Sequence, residues 1–206
     1  MNIYQPTRKL RLASIILALT SIVGGCAGVG ESVFIRATDD TLRLGGTTEN
    51  EIRQRMGSPS QESVTTSDGE QVKLIIYTYA NTAGEALSTE IIPARAQGFS
   101  FFEGKLVGCY FTSSWKEDHT NFDETKVSNI KKGITTRNEV EQLLGRPGGK
   151  FIYPITMNND EEGFWYIYCQ SKRFASNIKT YVKSLKVFFN REGIVRDVVY
   201  SESEEK

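Results

Sequence analysis

Gly133-Ile134-Thr135-Thr136-Arg137-Asn138-Glu139-Val140-Glu141-Gln142-Leu143-Leu144-Gly145-Arg146-Pro147 has a counterpart 88 positions earlier, Gly45-Gly46-Thr47-Thr48-Glu49-Asn50-Glu51-Ile52-Arg53-Gln54-Arg55-Met56-Gly57-Ser58-Pro59. Eight of the fifteen aligned positions are identical: Gly45, Thr47, Thr48, Asn50, Glu51, Gln54, Gly57 and Pro59. A match of this length reads as an internal repeat, so the folded part is expected to be a tandem of two similar units. Thr48 with Glu51, and Thr136 with Glu139, have the spacing of a reciprocal helix N-cap. Ile52 and Met56, like Val140 and Leu144, lie four apart and share one helix face. Gly57 and Gly145 can close the helix, and Pro59 and Pro147 prevent it from resuming. Each unit is thus expected to open with a short helix of about eight residues, marginal alone, because isolated helices below about 12 residues rarely hold in water. It needs a sheet to lie on.

Upstream, Arg8, Lys9 and Arg11 form a positive n-region, followed by an apolar run from Leu12 to Val23 that is short for a membrane span of about 20 residues. Residues 1–25 therefore read as a secretory signal peptide. Val23-Gly24-Gly25-Cys26 is similar to a bacterial lipobox, in which the Cys is acylated and becomes the new N-terminus. The alternative is ordinary cleavage, with Cys26 an incidental thiol. After such a cysteine, Ala27 rather than Asp implies outer-membrane sorting by the behaviour of lipoproteins of this kind. Removing 1–25 leaves 22 basic against 25 acidic groups. No basic patch for nucleic acid and no polybasic stretch for an anionic membrane surface is present. Attachment would rest on acyl chains, with 26–41 as a tether.

The remaining chain reads as α+β, each unit a short helix followed by an antiparallel four-stranded sheet. In the first unit, 42–112, strands are expected at Gln61–Thr66, Val72–Ala80, Phe99–Glu103 and Leu106–Thr112, with 81–97 a long connection. In the second, 128–200, they are expected at Lys150–Thr156, Phe164–Cys169, Tyr181–Phe189 and Ile194–Tyr200, with 170–180 a connection. The polar stretch 113–127 is a linker, and 201–206 a charged tail expected to fray.

The lipobox, the Gly-x-Thr-Thr-x-x-Glu-(Ile/Val)-x-x-x-(Met/Leu)-Gly-x-Pro motif, the Tyr-rich strand and the closing aromatic–Gly hairpin resemble the SmpA/OmlA (BamE-like) family of outer-membrane lipoproteins. The likeness covers 42–112 and again 128–200. The tandem also resembles the β-lactamase inhibitor protein fold, whose two repeats join their sheets into a concave surface that grips a partner. The resemblance implies a non-catalytic, outer-membrane-anchored protein facing the periplasm, binding envelope proteins, with an inhibitor or binder of an envelope hydrolase as the alternative.

No catalytic constellation stands out. His119 is the only histidine, and it lies in the polar linker, whereas a zinc site needs three or four converging ligands. No P-loop or nucleophile elbow occurs, so no cofactor, metal or small-molecule substrate is expected. Cys109 and Cys169 can pair as a disulfide in an oxidising compartment, or remain two buried thiols. Tyr77 and Tyr79, echoed by Tyr166 and Tyr168, share one face of their strands. With Trp165 they either pack in the core or line an open protein-binding face.

Overall fold

The computed structural model describes residues 34–38, 40–174 and 177–205; the expected signal peptide and Cys26, the expected acylation site, lie outside them. Among the described residues, two eight-residue α-helices, α1 (Glu49–Met56) and α2 (Arg137–Leu144), accompany nine strands. These are β1 (Gln61–Ser67), β2 (Glu70–Ala80), β3 (Ile91–Ile92), β4 (Ala94–Phe102), β5 (Lys105–Ser113), β6 (Gly149–Ile152), β7 (Glu162–Phe174), β8 (Asn177–Phe189) and β9 (Val195–Glu205). The strands do not form two separate four-stranded sheets. They make one antiparallel sheet in the order β1-β2-β4-β5-β6-β7-β8-β9, with β3 off the path against β7.

Both helices start as their sequences dictate. Thr48 N–H donates to the Glu51 carboxylate at 2.6 Å and Thr48 Oγ1 accepts from Glu51 N–H at 3.3 Å. Thr136 and Glu139 do the same at 2.7 and 3.3 Å. Gly57 and Gly145 end the helices at φ 79° and 81° with ψ −150° and −172°, a region open essentially to glycine alone. The approach to each helix is stitched to a strand by the same backbone bonds. Gly45 N–H donates to Leu106 O at 2.7 Å and Leu106 N–H to Thr47 O at 2.8 Å. Gly133 N–H and Val195 N–H do likewise to Val195 O and Thr135 O, both at 2.8 Å.

Several expected connections are strand instead. Residues 170–174 and 177–180 are strand, the ends of β7 and β8, which pair in continuous register from Glu162↔Phe189 to Phe174↔Asn177. Residues 201–205 extend β9 along β8, where Lys183↔Glu202 places opposite charges across the ladder and the hydroxyls of Tyr181 and Tyr200 donate to Glu202. Within 81–97, β3 adds to β7 and β4 begins at Ala94. The linker is also held. Ser113 and Ser114 are buried, Thr120 Oγ1 donates to Ile167 O at 2.7 Å, and Phe122 is buried beside Tyr166. Phe122 is the apolar plug that the surrounding charge concealed.

Both faces of the sheet are covered. On one, α1 buries Ile52 against Ile75, Tyr77, Phe99, Phe101 and Leu106, while α2 buries Val140 against Phe164, Tyr166, Leu185, Val187 and Phe189. Full burial of a side chain such as Ile52 contributes about 1.5–3 kcal/mol. The other face carries Val72, Leu74, Ile76, Tyr110, Trp165 and Phe188, and it is filled by Phe151 and by Ile155 from the β6–β7 connection. That connection crosses the face: Pro154 O accepts from Ser67 Oγ at 2.7 Å, and the buried Glu161 pairs with Arg196 of β9.

The two halves meet where β5 pairs with β6 over only Gly108↔Phe151, Cys109↔Lys150 and Tyr110↔Gly149. A Cβ on Gly149 would stand 2.3 Å from Cys109 O, so this close approach requires glycine.

Candidate interaction surface

The five aromatic residues singled out as a partner-binding face do not line an open one. Tyr77, Trp165, Tyr166 and Tyr168 are buried, and Tyr79 alone keeps partial exposure. Tyr77 lies under α1 and donates its hydroxyl to Gly57 O at 2.9 Å; Tyr166 lies under α2 and donates to Gly145 O at the same distance. Each therefore satisfies one of the orphan carbonyls at a helix C-terminus. Burial raises the pKa of both hydroxyls. Trp165 is on the opposite face, donating Nε1–H to Ser184 Oγ at 2.8 Å with its ring 4.8 Å from that of Tyr110. Tyr168 donates to Gln170 at 3.1 Å, and burial pushes its pKa up to about 12. The reason is the double covering of the sheet, since neither strand face is left free.

Cys109 and Cys169 are both buried and are not joined to each other. Cys109 packs with Phe99 and Leu106 on the helix-covered face. Cys169 alternates with Trp165 and Ile167, which places it on the other. The sheet stands between them. Burial pushes the Cys169 thiol up to about 12, far from a reactive thiolate.

His119 is exposed, and no group of three or more His, Cys, Asp or Glu residues that could hold a metal occurs among the described residues. A shallow polar cleft of about 340 Å³ beside α1 is lined by Thr41, Thr47, Glu51, Ile52, Gln54 and Arg55. Glu51 there is already engaged in the helix cap. Lys186, half-buried, sets its amine 4.3 Å from the Trp165 ring centre, and burial lowers its pKa to about 8. That amine also lies 5.9 Å from the Phe151 ring centre, so its neighbours are aromatic. Among the described residues no helix is long and apolar enough to cross a membrane.

What the strands do position is the segment between the halves, clamped from both sides. Arg95 of β4 pairs with Glu117 and, at 2.9 Å, with Asp118, and its guanidinium lies 4.2 Å over the Trp115 ring. Lys183 of β8, itself buried, donates to Phe122 O and pairs with Glu124. Arg95 and Lys183 are also 88 positions apart, a correspondence hidden by the difference in residue type.

A second feature lies at the end of the sheet where β2 finishes and β4 begins. Tyr79 stacks on Trp115 with ring centres 6.0 Å apart, and Phe34 lies 6.2 Å from both Tyr79 and Phe111. Arg36 sits 3.7 Å over Phe111. Exposed Ile35 and Leu87 flank this cluster. The sequence offered little signal for it, because Phe34 lay in an assumed tether and Trp115 in an assumed linker.

The class defined by these observations is a mixed α/β protein built on one curled antiparallel sheet carrying two short capped helices. Residues 120–198 match the family model described as the outer membrane protein assembly factor BamE domain. No curated protein matches the chain. Among solved structures, a Streptococcus mutans protein provisionally named a beta-lactamase inhibitor protein aligns at 13% identity, covering 79% of this chain and 91% of that one, with a TM-score of 0.38.

Proposed function

We propose that this is a non-catalytic lipoprotein, acylated at Cys26, anchored in the outer membrane with its domain in the periplasm, and binding envelope proteins during outer-membrane assembly. The observation that carries this reading is the match of 120–198 to the BamE domain model. In the same reading, the chain holds two copies of one helix-plus-four-strand unit, at 42–112 and 128–200, joined by 113–127. The duplicated caps, the duplicated Gly–Thr stitching and the equivalent hydroxyl bonds of Tyr77 and Tyr166 support it. The alternative, a hydrolase binder using an open concave sheet face, loses its surface, since Phe151, Ile155 and the β6–β7 connection fill that face.

Affinity capture of the acylated protein from detergent-solubilised envelopes tests the reading. Recovery of β-barrel assembly components is expected, and recovery of a peptidoglycan- or β-lactam-acting enzyme instead would replace it. Cys26→Ser is expected to move the protein from the membrane to the soluble periplasmic fraction. Continued membrane association of that variant would remove the lipid anchor from the account.

A further inference from the structure

The chain enters the domain as a clamped strap. Ala37 N–H donates to Gln97 Oε1 at 2.9 Å, and Gln97 Nε2 donates back to Ala37 O at 2.7 Å, with both residues buried. Three residues earlier, Phe34 lies against Tyr79 and Phe111. The strap then descends the helix-covered face to Gly45, which bonds Leu106 near the opposite end of the strands. So the N-terminal connection emerges beside Phe34, at the sheet end that carries the 81–93 connection and Trp115.

Two lengths limit how the domain can sit on the bilayer, granted the acylated Cys26 of the proposed function. From Cys26 to Phe34 is eight Cα steps, at most about 28 Å when fully extended. Strands β7 and β8 have 13 residues each and are therefore about 43 Å long. The leash is shorter than the domain, so the domain cannot turn over to place its opposite end on the bilayer with the strap end furthest away. The strap end is chemically suited to the bilayer. Tyr79 and Trp115 are amphipathic rings with partial exposure, and Ile35 and Leu87 are 54% and 38% exposed. Its charges are largely matched in pairs: Arg95 with Glu117 and Asp118, and Lys116 with Glu85 at 3.3 Å. Aromatic rings flanked by aliphatic side chains, without excess charge, suit the headgroup–acyl boundary of a membrane.

We propose that the aromatic end built from Phe34, Ile35, Tyr79, Leu87 and Trp115 is a membrane-contact surface, held against the lipid interface by the strap that Gln97 locks. The contact is apolar, so it forms on zwitterionic lipid and persists at high salt. The opposite end, with the β6–β7 connection and the N-termini of both helices, points into the periplasm, where a partner can reach it.

The test uses the acylated full-length mature protein in phosphatidylcholine vesicles containing headgroup-proximal nitroxide lipid. An environment-sensitive fluorophore is placed at Leu87→Cys or, on the opposite end, at Met157→Cys. Cys109 and Cys169 are buried, which leaves the introduced thiol as the reactive one. Quenching at position 87 is expected to exceed that at 157 several-fold, and to survive salt of about 0.5 M, where screening shortens electrostatic reach to a few ångströms. Equal quenching at both positions, or none at 87 in vesicle-bound protein, would overturn the proposed orientation while leaving the anchor intact. Contact that vanishes in salt would overturn its apolar character. If the protein lacks acyl mass on Cys26 and fails to float with vesicles, the anchor reading falls and the proposal falls with it.

Discussion

The half of the molecule built on α1 and the half built on α2 share a frame and differ in what covers it. In both, a Thr–Glu cap starts the helix, a glycine ends it, and a buried tyrosine hydroxyl bonds that glycine's carbonyl. The surroundings diverge. Around α1, Glu49 and Glu62 share Arg53 and Lys73 at 2.7–3.3 Å. Around α2, Leu143 and Leu144 pack beside the fully buried Val140, and Arg137, at the position equivalent to Glu49, pairs with Glu162. The first half is covered by a strap clamped by Gln97, the second by a linker clamped by Lys183. Backbone groups and short polar side chains make the shared frame, so wide changes in the covering residues leave it intact. The lesson is that the frame fixes where a cover must lie and leaves open how it is held.

The largest effect is expected where the halves join. Phe151 is fully buried, with its ring 5.2 Å from Phe188 and 6.3 Å from Trp165. Phe151→Ala should cost about 3–5 kcal/mol in urea denaturation. If the halves stand on their own once the junction is weakened, fluorescence and far-ultraviolet dichroism will give separate transitions. Coincident transitions would show that one sheet unfolds as one unit.

Equivalent helix positions come next. Ile52 and Val140 are 1% and 0% exposed, each the sole fully buried side chain of its helix. Ile52→Ala should destabilise by about 2–5 kcal/mol, and Val140→Ala by about 2 kcal/mol because it removes one carbon fewer. The slope of stability against urea should not change. A larger loss at Val140 than at Ile52 would mean that the apolar surroundings of α2 tolerate a cavity less well than the charged rim of α1.

The sequence showed the frame and hid the covers, for physical reasons. Caps, turns and helix length depend on local spacing, so Thr48, Glu51, Gly57 and their counterparts were legible. β2 and β5 were placed within two residues because their apolar runs are continuous. The end of β7 and the last residues of β9 were missed, since Lys172, Arg173, Glu202 and Glu204 look like loop until their neighbours are known: Lys172 pairs with Glu90, and Glu202 and Glu204 lie against Lys183 and Lys179 of β8. The tyrosines showed their shared face but not its occupant, which comes from elements distant in sequence, α1 over Tyr77 and α2 over Tyr166. The short β5–β6 pairing left its only trace in Gly148-Gly149, which reads as a turn until two backbones are known to touch there.

A smaller and symmetric effect tests the frame itself. Tyr77→Phe and Tyr166→Phe each remove one hydrogen bond to a helix-terminal carbonyl and should cost about 0.5–1.5 kcal/mol. The two losses should agree within about 0.5 kcal/mol and add in the double variant, as expected for distant independent sites. Unequal or non-additive losses would show that the equivalent bonds do unequal work.

The smallest effect separates the halves by acid. The Thr48 hydroxyl and amide hold the Glu51 carboxyl below its ordinary 4.5, and the Thr136 amide and hydroxyl do the same for Glu139. The Arg53 guanidinium lowers Glu62, while for Glu49 the bonds from Lys73 and Arg53 outweigh an opposing effect of burial. A carboxyl depressed in the folded state contributes stability above its unfolded value, and that contribution disappears as pH falls through the folded value. Three such groups surround α1 and one belongs to α2, so below pH 4.5 the α1 amides should lose hydrogen-exchange protection before those of α2. The pairs are partly open to solvent, which keeps the difference small and makes it shrink in salt. Glu62→Gln should narrow the gap and Glu139→Gln should advance the loss at α2. If both helices open together across the acid range, the charged rim of α1 contributes nothing that distinguishes it from its apolar counterpart.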